Sequence, residues 1–417
     1  ESHSMHTLIK PFRALRPAPG KAAAVAAPPY DVLNTAEARH RAHGRPSSFL
    51  HISKPEIDLP EGTDPYSPVV YARGAENLRH LVESSVLLRD EKPHYYVYQL
   101  RMGEHLQTGI ACVGSVVEYD RNRIRKHEFT RPDKEDDRVR QITALNAQTG
   151  PVLLAYRSNA ELRQIIVQNA RGIPACEVKA DDGIVHTIWL LQDPEQISAV
   201  TRIVDAMDSL YIADGHHRSA SASRVAAARG TGNPRHSGDL DYNYFLCVAF
   251  PHDELRILDY NRVVRDLNGL SATDFLLRIG LKFTVTPVAQ PARPAHAGQF
   301  GMYLEGQWYR LDIQRGLIPK DPVASLDVSL LQDHLLEPVL GIGDPRRDKR
   351  IDFVGGVRGL PELERRVDSG EMAVAFAMFP TSVEALMAVA DANQVMPPKS
   401  TWFEPKLADG LLSHLLD

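Results

Sequence analysis

The sequence predicts an α+β protein built on a mixed, largely antiparallel sheet, with a second, smaller module behind it. Three observations carry that reading. Runs rich in aromatic and β-branched residues, "HYYVYQLRM" (94–102) and "QTGIACVGSVVEY" (107–119), flank a polar "GEH", the pattern of a hairpin. Apolar residues recur at helical spacing in "EQISAVTRIVDAMD" (195–208). Between them, the strand-like "PVLLAYR" (151–157) and "VHTIWLLQ" (185–192) bracket the helix-like "NAELRQIIVQNA" (159–170).

Length and charge narrow the class before any motif is read. A chain of 417 residues exceeds one ordinary compact core, so two or more domains are expected. With 43% hydrophobic and 24% charged residues, the composition is that of a globular protein rather than a disordered or fibrous one. A net charge of -5 offers no general attraction for phosphate backbones, which argues against nucleic acid as a partner and favours small-molecule chemistry. Cys112, Cys176 and Cys247 show neither CxxC spacing nor the even count of a disulfide framework, so a reducing, cytoplasmic setting fits. The longest apolar stretch, "MAVAFAMF" (372–379), is too short for a bilayer span, and no membrane partner is expected.

In chain order, "ESHSM" (1–5) reads as an expression remnant. Prolines in "PFRALRPAPG" and "APPYDVLN" predict extended, irregular backbone. "NTAEARHRAHGRPSS" (34–48) predicts a helix capped by Asn34 or Thr35 and stopped by Gly44, "SFLHIS" (48–53) a strand, and 69–86 a second helix. After residue 230 a long polar loop leads to the buried-looking strand "YFLCVAFP" (244–251). The Pro- and Ala-rich "VAQPARPAHAG" (288–298) is linker-like, and the expected division is an N-terminal α+β domain over 6–270 with a C-terminal α+β module over 271–417.

The stretch of greatest chemical interest is "DSLYIADGHHRSASASRVAAARG" (208–230), a strand that turns at Gly215 into a helix. A helix start presents unpaired N–H groups with partial positive charge, where an anion binds. His216, His217 and Arg218 add side-chain donors that suit a polyphosphate. Asp214 could hold a magnesium ion, act as a base, or orient a histidine. The bland alternative is that Asp214 caps the helix, Arg218 pairs with a carboxylate and the histidines pack.

"RKHEFTRPDKEDDR" (125–138) could supply the acid and base half of such a site. Glu128 or Glu135 would orient an acceptor, with His127 beside them, while Arg131, Lys134 and Arg138 would balance charge. The same residues also read as a solvated helix start. Tyr30 and Asp31 in "PPYDVLN" could line a substrate pocket or form a turn. His51 reads as a packing histidine, Arg346, Arg347, Lys349 and Arg350 as solvated surface or a nucleotide rim, and Lys399 with Trp402 as a phosphate and base contact or a docked tail.

Strings spread over nearly the whole chain, among them "PPYDV" (28–32), "KHEFTRPDKEDDR" (126–138), "ADGHHR" (213–218), "RRDKRIDFVGG" (346–356) and "PPKSTWFEPKL" (397–407), make the sequence resemble the DUF1015 family. The Asp-Gly-His-His-Arg turn is also similar to the phosphate-gripping turn of the ParB and sulfiredoxin-like fold, which includes kinases of free serine with an Asp-Gly-His-x-Arg motif. That similarity implies nucleotide phosphates around Gly215, His216, His217 and Arg218, with ATP or ADP and Mg2+ as cofactors. It further implies a phosphotransferase acting on a small hydroxylated metabolite such as free serine, with a homodimer admitted. Two other readings stand beside it: a ParB-like regulator that binds nucleotide without turnover, and a metal-dependent hydrolase using His127, Glu128, His216 and His217.

Overall fold

Residues 7–417 are described in this computed structural model, and the expected remnant 1–5 lies outside them. They divide into two compact units, one running to Leu255 and regaining Pro405–Asp417, the other spanning Arg256–Glu404.

The hairpin of the first unit forms as its alternation predicts. Tyr95–Met102 pairs antiparallel with His105–Ser115, closed by Met102 opposite His105 across a two-residue turn. Among the described residues these two strands belong to a nine-stranded sheet. On one side of the hairpin follow Val185–Leu191 and Cys176–Lys179, on the other Tyr244–Pro251, Val152–Tyr156, Leu210–Asp214 and Ile124–Arg125, and the ninth strand, Ile9–Lys10, pairs with Val113 and Gly114 of the hairpin. Only the pairs 124–125 with 210–214 and 152–156 with 244–251 run parallel, so the sheet is mixed and largely antiparallel. Tyr244–Pro251 is buried at every position, which explains why its sequence is continuously apolar rather than alternating. Helices Ala160–Asn169 and Pro194–Asp205, capped by Asn159 and Asp193, bring Leu162, Ile166, Val200 and Val204 into the same core.

Asn34 caps helix Thr35–Ala42 in a reciprocal box with Glu37, as the sequence suggests. The expected strand at 48–53 is instead a short helix, Leu50–Ser53. Its apolar run is too short for periodicity to choose between helix and strand, and tertiary packing decides: Phe49, Leu50 and Ile52 join Leu78 and Leu81 of helix Pro68–Glu83 in a separate small core.

In the second unit a six-stranded antiparallel sheet has the order Phe283–Val288, Gln307–Ile313, Gln299–Leu304, Val374–Ala377, Tyr260–Val264, Ile351–Gly355. Helix Gly359–Asp368 packs on it through Leu360, Leu363 and Val367. The division differs from the expected one at 270. Strand Tyr260–Val264 pairs only within this second sheet, so the unit begins earlier. The linker-like 288–298 joins two of its strands. It lies so close over the sheet that a Cβ on Gly301 would sit 1.9 Å from the Ala292 carbonyl oxygen. The last residues return to the first unit, where Asp409 bridges to Ala27 and His414–Leu415 pairs with Ala147–Gln148.

Candidate active site

Strand Leu210–Asp214 delivers its last residue to the edge of the core, and helix His216–Gly232 starts two residues later. Gly215 makes the turn at φ 97°, a left-handed conformation, and a Cβ there would meet the Val152 Cα and an Arg218 guanidinium nitrogen, each at 3.3 Å. The Gly215 carbonyl accepts from the amides of Arg218 and Ser219 at 3.0 and 3.2 Å. The amides of His216 and His217 donate to no acceptor among the described residues, so the positive end of the helix is uncapped, although the His216 residue is itself buried.

Asp214 borders that opening. One of its carboxylate oxygens accepts from the Gly215 amide at 3.0 Å, and the other lies 3.4 Å from the Lys406 ammonium. Burial alone would raise this carboxyl, but the charges of Lys406 and Arg218 outweigh it and hold it below its ordinary value.

The two histidines of the turn are acceptors toward the segment ahead of helix Pro132–Leu145. Nε2 of His216 accepts from the His127 amide at 3.2 Å, and Nε2 of His217 from the Arg131 amide at 3.1 Å. A neutral imidazole accepting at Nε2 carries its proton on Nδ1. For His216 that Nδ1–H faces Glu128, 3.5 Å away. The Glu128 carboxylate, 39% exposed, also lies 3.9 Å from Nε2 of the fully buried His127, whose ring meets His216 edge-on at 4.4 Å. Burial drives the His127 pKa down to about 4, and burial with neighbouring cationic character lowers His216 and His217 as well.

Acid should therefore loosen this corner. Unfolded histidines titrate near 6.5, so between that pH and about 4 the unfolded chain binds protons that the native His127 refuses. Stability is fully present above pH ~6.5 and falls as the pH drops toward 4, by roughly 3 kcal/mol for His127 alone. His186 and His414, both lowered to about 4, act in the same direction, whereas Asp409, raised to about 7, opposes them. Urea unfolding of the first unit at pH 7.5, 6 and 5 checks this, and a flat profile contradicts it.

Arg218 turns inward rather than toward the opening. Its guanidinium donates to the Pro151 carbonyl at 2.8 Å, lies 3.8 Å from Asp31 and sits 5.8 Å from the Tyr30 ring centre. Burial opposes its charge, yet Asp31 and Asp409 around it raise its pKa. Arg138 stacks on the same Tyr30 ring at 3.7 Å, ion-pairs with Asp137 at 2.6 Å and donates to Gln141. The expected side-chain grip of histidines and arginine is thus engaged with protein partners, which leaves the backbone amides of the turn as its uncommitted donors.

The remaining expected site residues separate into three groups. Glu128 and His127 come to the turn, and Tyr30, Asp31 and Arg138 gather around Arg218. Glu135 accepts from Thr130 at 2.7 Å and pairs with Arg224 at 3.3 Å, and exposed Arg131 pairs with Asp133 at 3.1 Å, as a solvated helix start would have it. Lys134 is exposed on the same turn. His51 is satisfied by Asp58 and the Arg45 carbonyl. Arg346, Arg347 and Arg350 pair with Asp344, Asp348 and Asp266, and Trp402 packs edge-on against Tyr260, all within the second unit. Sequence reasoning missed Lys406 and Asp409, which join the site from the far end of the chain.

Among the described residues no three His, Cys, Asp or Glu side chains are arranged to hold a metal ion. Of the hydrolase quartet, the His216 and His217 rings accept from backbone amides and Glu128 faces His216, while both ring nitrogens of buried His127 lack a hydrogen-bond partner among the described residues. Asp214 does not make a magnesium site of its own either, since one oxygen serves the Gly215 amide and the other faces Lys406. No helix among the described residues is long and apolar enough to cross a membrane.

The sequence profile of the family described as "Protein of unknown function (DUF1015)" matches residues 9–329. The chain belongs to the DUF1015 family. No curated protein matches it. Solved structures similar to this DUF1015 protein include a conserved hypothetical protein from Pyrococcus furiosus, with a TM-score of 0.34 and 14% identity over 70% of this chain and 93% of that one. A free serine kinase in complex with AMP gives 0.34 and 13% over 70% and 89%, and SbnI with a C-terminal truncation from Staphylococcus aureus gives 0.39 and 12% over 73% and 87%.

Proposed function

We propose that this DUF1015 protein transfers a phosphoryl group between a nucleotide, ATP or ADP, and a small hydroxylated metabolite, with free serine the first acceptor to test. The observation that carries the reading is the open pair of His216 and His217 amides at the start of a 17-residue helix, bordered by Lys406 and Asp214. Phosphate oxygens accept from such amides and are favoured by the helix dipole. Lys406 would balance further negative charge. Glu128 stands beside His216, so a single residue links the anion-facing amide to a carboxylate that could receive the acceptor's proton. In that reaction the phosphorus–oxygen bond to the nucleotide breaks, a new one forms to the acceptor hydroxyl, and the proton passes to Glu128. The His216 Nδ1–H would hold that carboxylate in position. Magnesium bound to the nucleotide would neutralise charge on its phosphates, and no protein step is assigned to it.

The inward turn of Arg218 favours a second reading, in which nucleotide binds without turnover. Calorimetric titration with ATP, ADP and CTP, with and without magnesium, followed by phosphorus NMR on a panel of hydroxylated metabolites, separates the two. Saturable ATP or ADP binding with formation of a phosphoester is expected. Binding without turnover supports the regulator, and absence of binding by all three removes both.

A further inference from the structure

Beside Arg218 lies a cavity of about 30 Å³, lined by Tyr30, Arg138, Gln148, Thr149, Arg218 and Asp409 on its polar side and by apolar residues such as Val152 and Phe245 on the other. It has room for roughly two water-sized groups, so no nucleotide enters it. Its charges do not balance. Arg138 is committed to Asp137 at 2.6 Å, and Arg218 is held by the Pro151 carbonyl and faces Asp31. One acid is left over. Asp409 is 2% exposed, and among the described residues no cation lies within 4 Å of its carboxylate and no side chain donates to it. Burial pushes this carboxyl up to about 7. Arg218 and Arg138 at longer range and the Tyr30 amide only partly offset that burial, while Asp31 adds to it. A buried carboxylate with no cation in contact is costly, and a cation that fills the space beside it relieves the cost.

We propose that the cavity is a subsite for the primary ammonium group of a small ligand, received by Asp409. The ammonium is the group whose size and charge match the space, whereas a second anion would meet Asp409 and a neutral hydroxyl would leave its charge uncompensated. The cavity abuts the turn, because Arg218, which lines it, lies against Gly215. A ligand seated there would carry its remaining atoms toward the helix start. If the phosphotransfer reading holds, on which this last step rests, the acceptor belongs to the small hydroxylated amines rather than to polyols or hydroxy acids.

Ammonium recognition is tested without nucleotide, by calorimetry and thermal unfolding of the full chain with ethanolamine hydrochloride, ethylene glycol and potassium chloride at matched ionic strength. The expected result is saturable stabilisation by ethanolamine alone, tightening from pH 6 to 8 as Asp409 ionises among Arg218, Arg138, Asp31 and Tyr30. Asp409→Asn should lose about tenfold in affinity or more. Equal effects of ethylene glycol or potassium, or full retention in Asp409→Asn, overturn the proposal. Should that variant fail to fold, Gly150→Ala places a methyl group 3.1 Å from Arg218 Nε and 3.6 Å from Asp409, which should exclude ethanolamine. Retained binding there also overturns it. Ethanolamine binding without nucleotide binding keeps this inference and defeats the phosphotransfer reading, and the converse result does the reverse.

Discussion

Replacing Glu128 with glutamine is expected to lower kcat by about 10²- to 10⁴-fold while leaving nucleotide affinity unchanged. The amide keeps the shape of the carboxylate and can still accept from the His216 Nδ1–H, 3.5 Å away in the wild type. It cannot take a proton. Steady-state kinetics together with calorimetry on the same preparation check both halves. A parallel loss of binding and turnover would assign Glu128 to holding the 127–131 segment against the turn, because that segment hangs on the His216 and His217 rings.

Arg218→Ala should cost the first unit about 2 to 4 kcal/mol of stability. The guanidinium supplies a charge-assisted hydrogen bond to the Pro151 carbonyl, faces Asp31 and lies against the Tyr30 ring, and its side chain is only 16% exposed. Removing it leaves the Pro151 carbonyl without this donor and takes one of the offsetting cations away from Asp409, whose carboxyl should then titrate higher still. Urea unfolding measures the first effect. Unchanged stability with lost nucleotide affinity would contradict the inward assignment and return Arg218 to the phosphates.

The strand–glycine–helix turn is legible in the sequence because every part of its signal is local. An apolar run ends at Asp214, Gly215 permits the left-handed step, and the Ser- and Ala-rich run that follows has helical character. The hairpin at 95–115 is legible for the same reason. Side-chain direction at the turn is another matter. Whether Arg218 points out or in depends on Pro151 and Tyr30, which no periodicity connects to it. Lys406 and Asp409 were hidden by distance, since Lys406 reaches Asp214 across 192 positions of sequence. The "FEPKL" string offered a hint only as a shared motif. The misread linker at 288–298 is a composition signal overruled by packing, since proline-rich backbone can cross a sheet as readily as it can join domains.

Central to the account is an anion site made of two backbone amides. Selective 15N-histidine labelling makes those amides visible, and titration with ADP tests them directly. The account predicts that the His216 and His217 amide resonances shift downfield and saturate at the calorimetric Kd. ADP that binds while both resonances stay in place, or that does not bind at all, would contradict it.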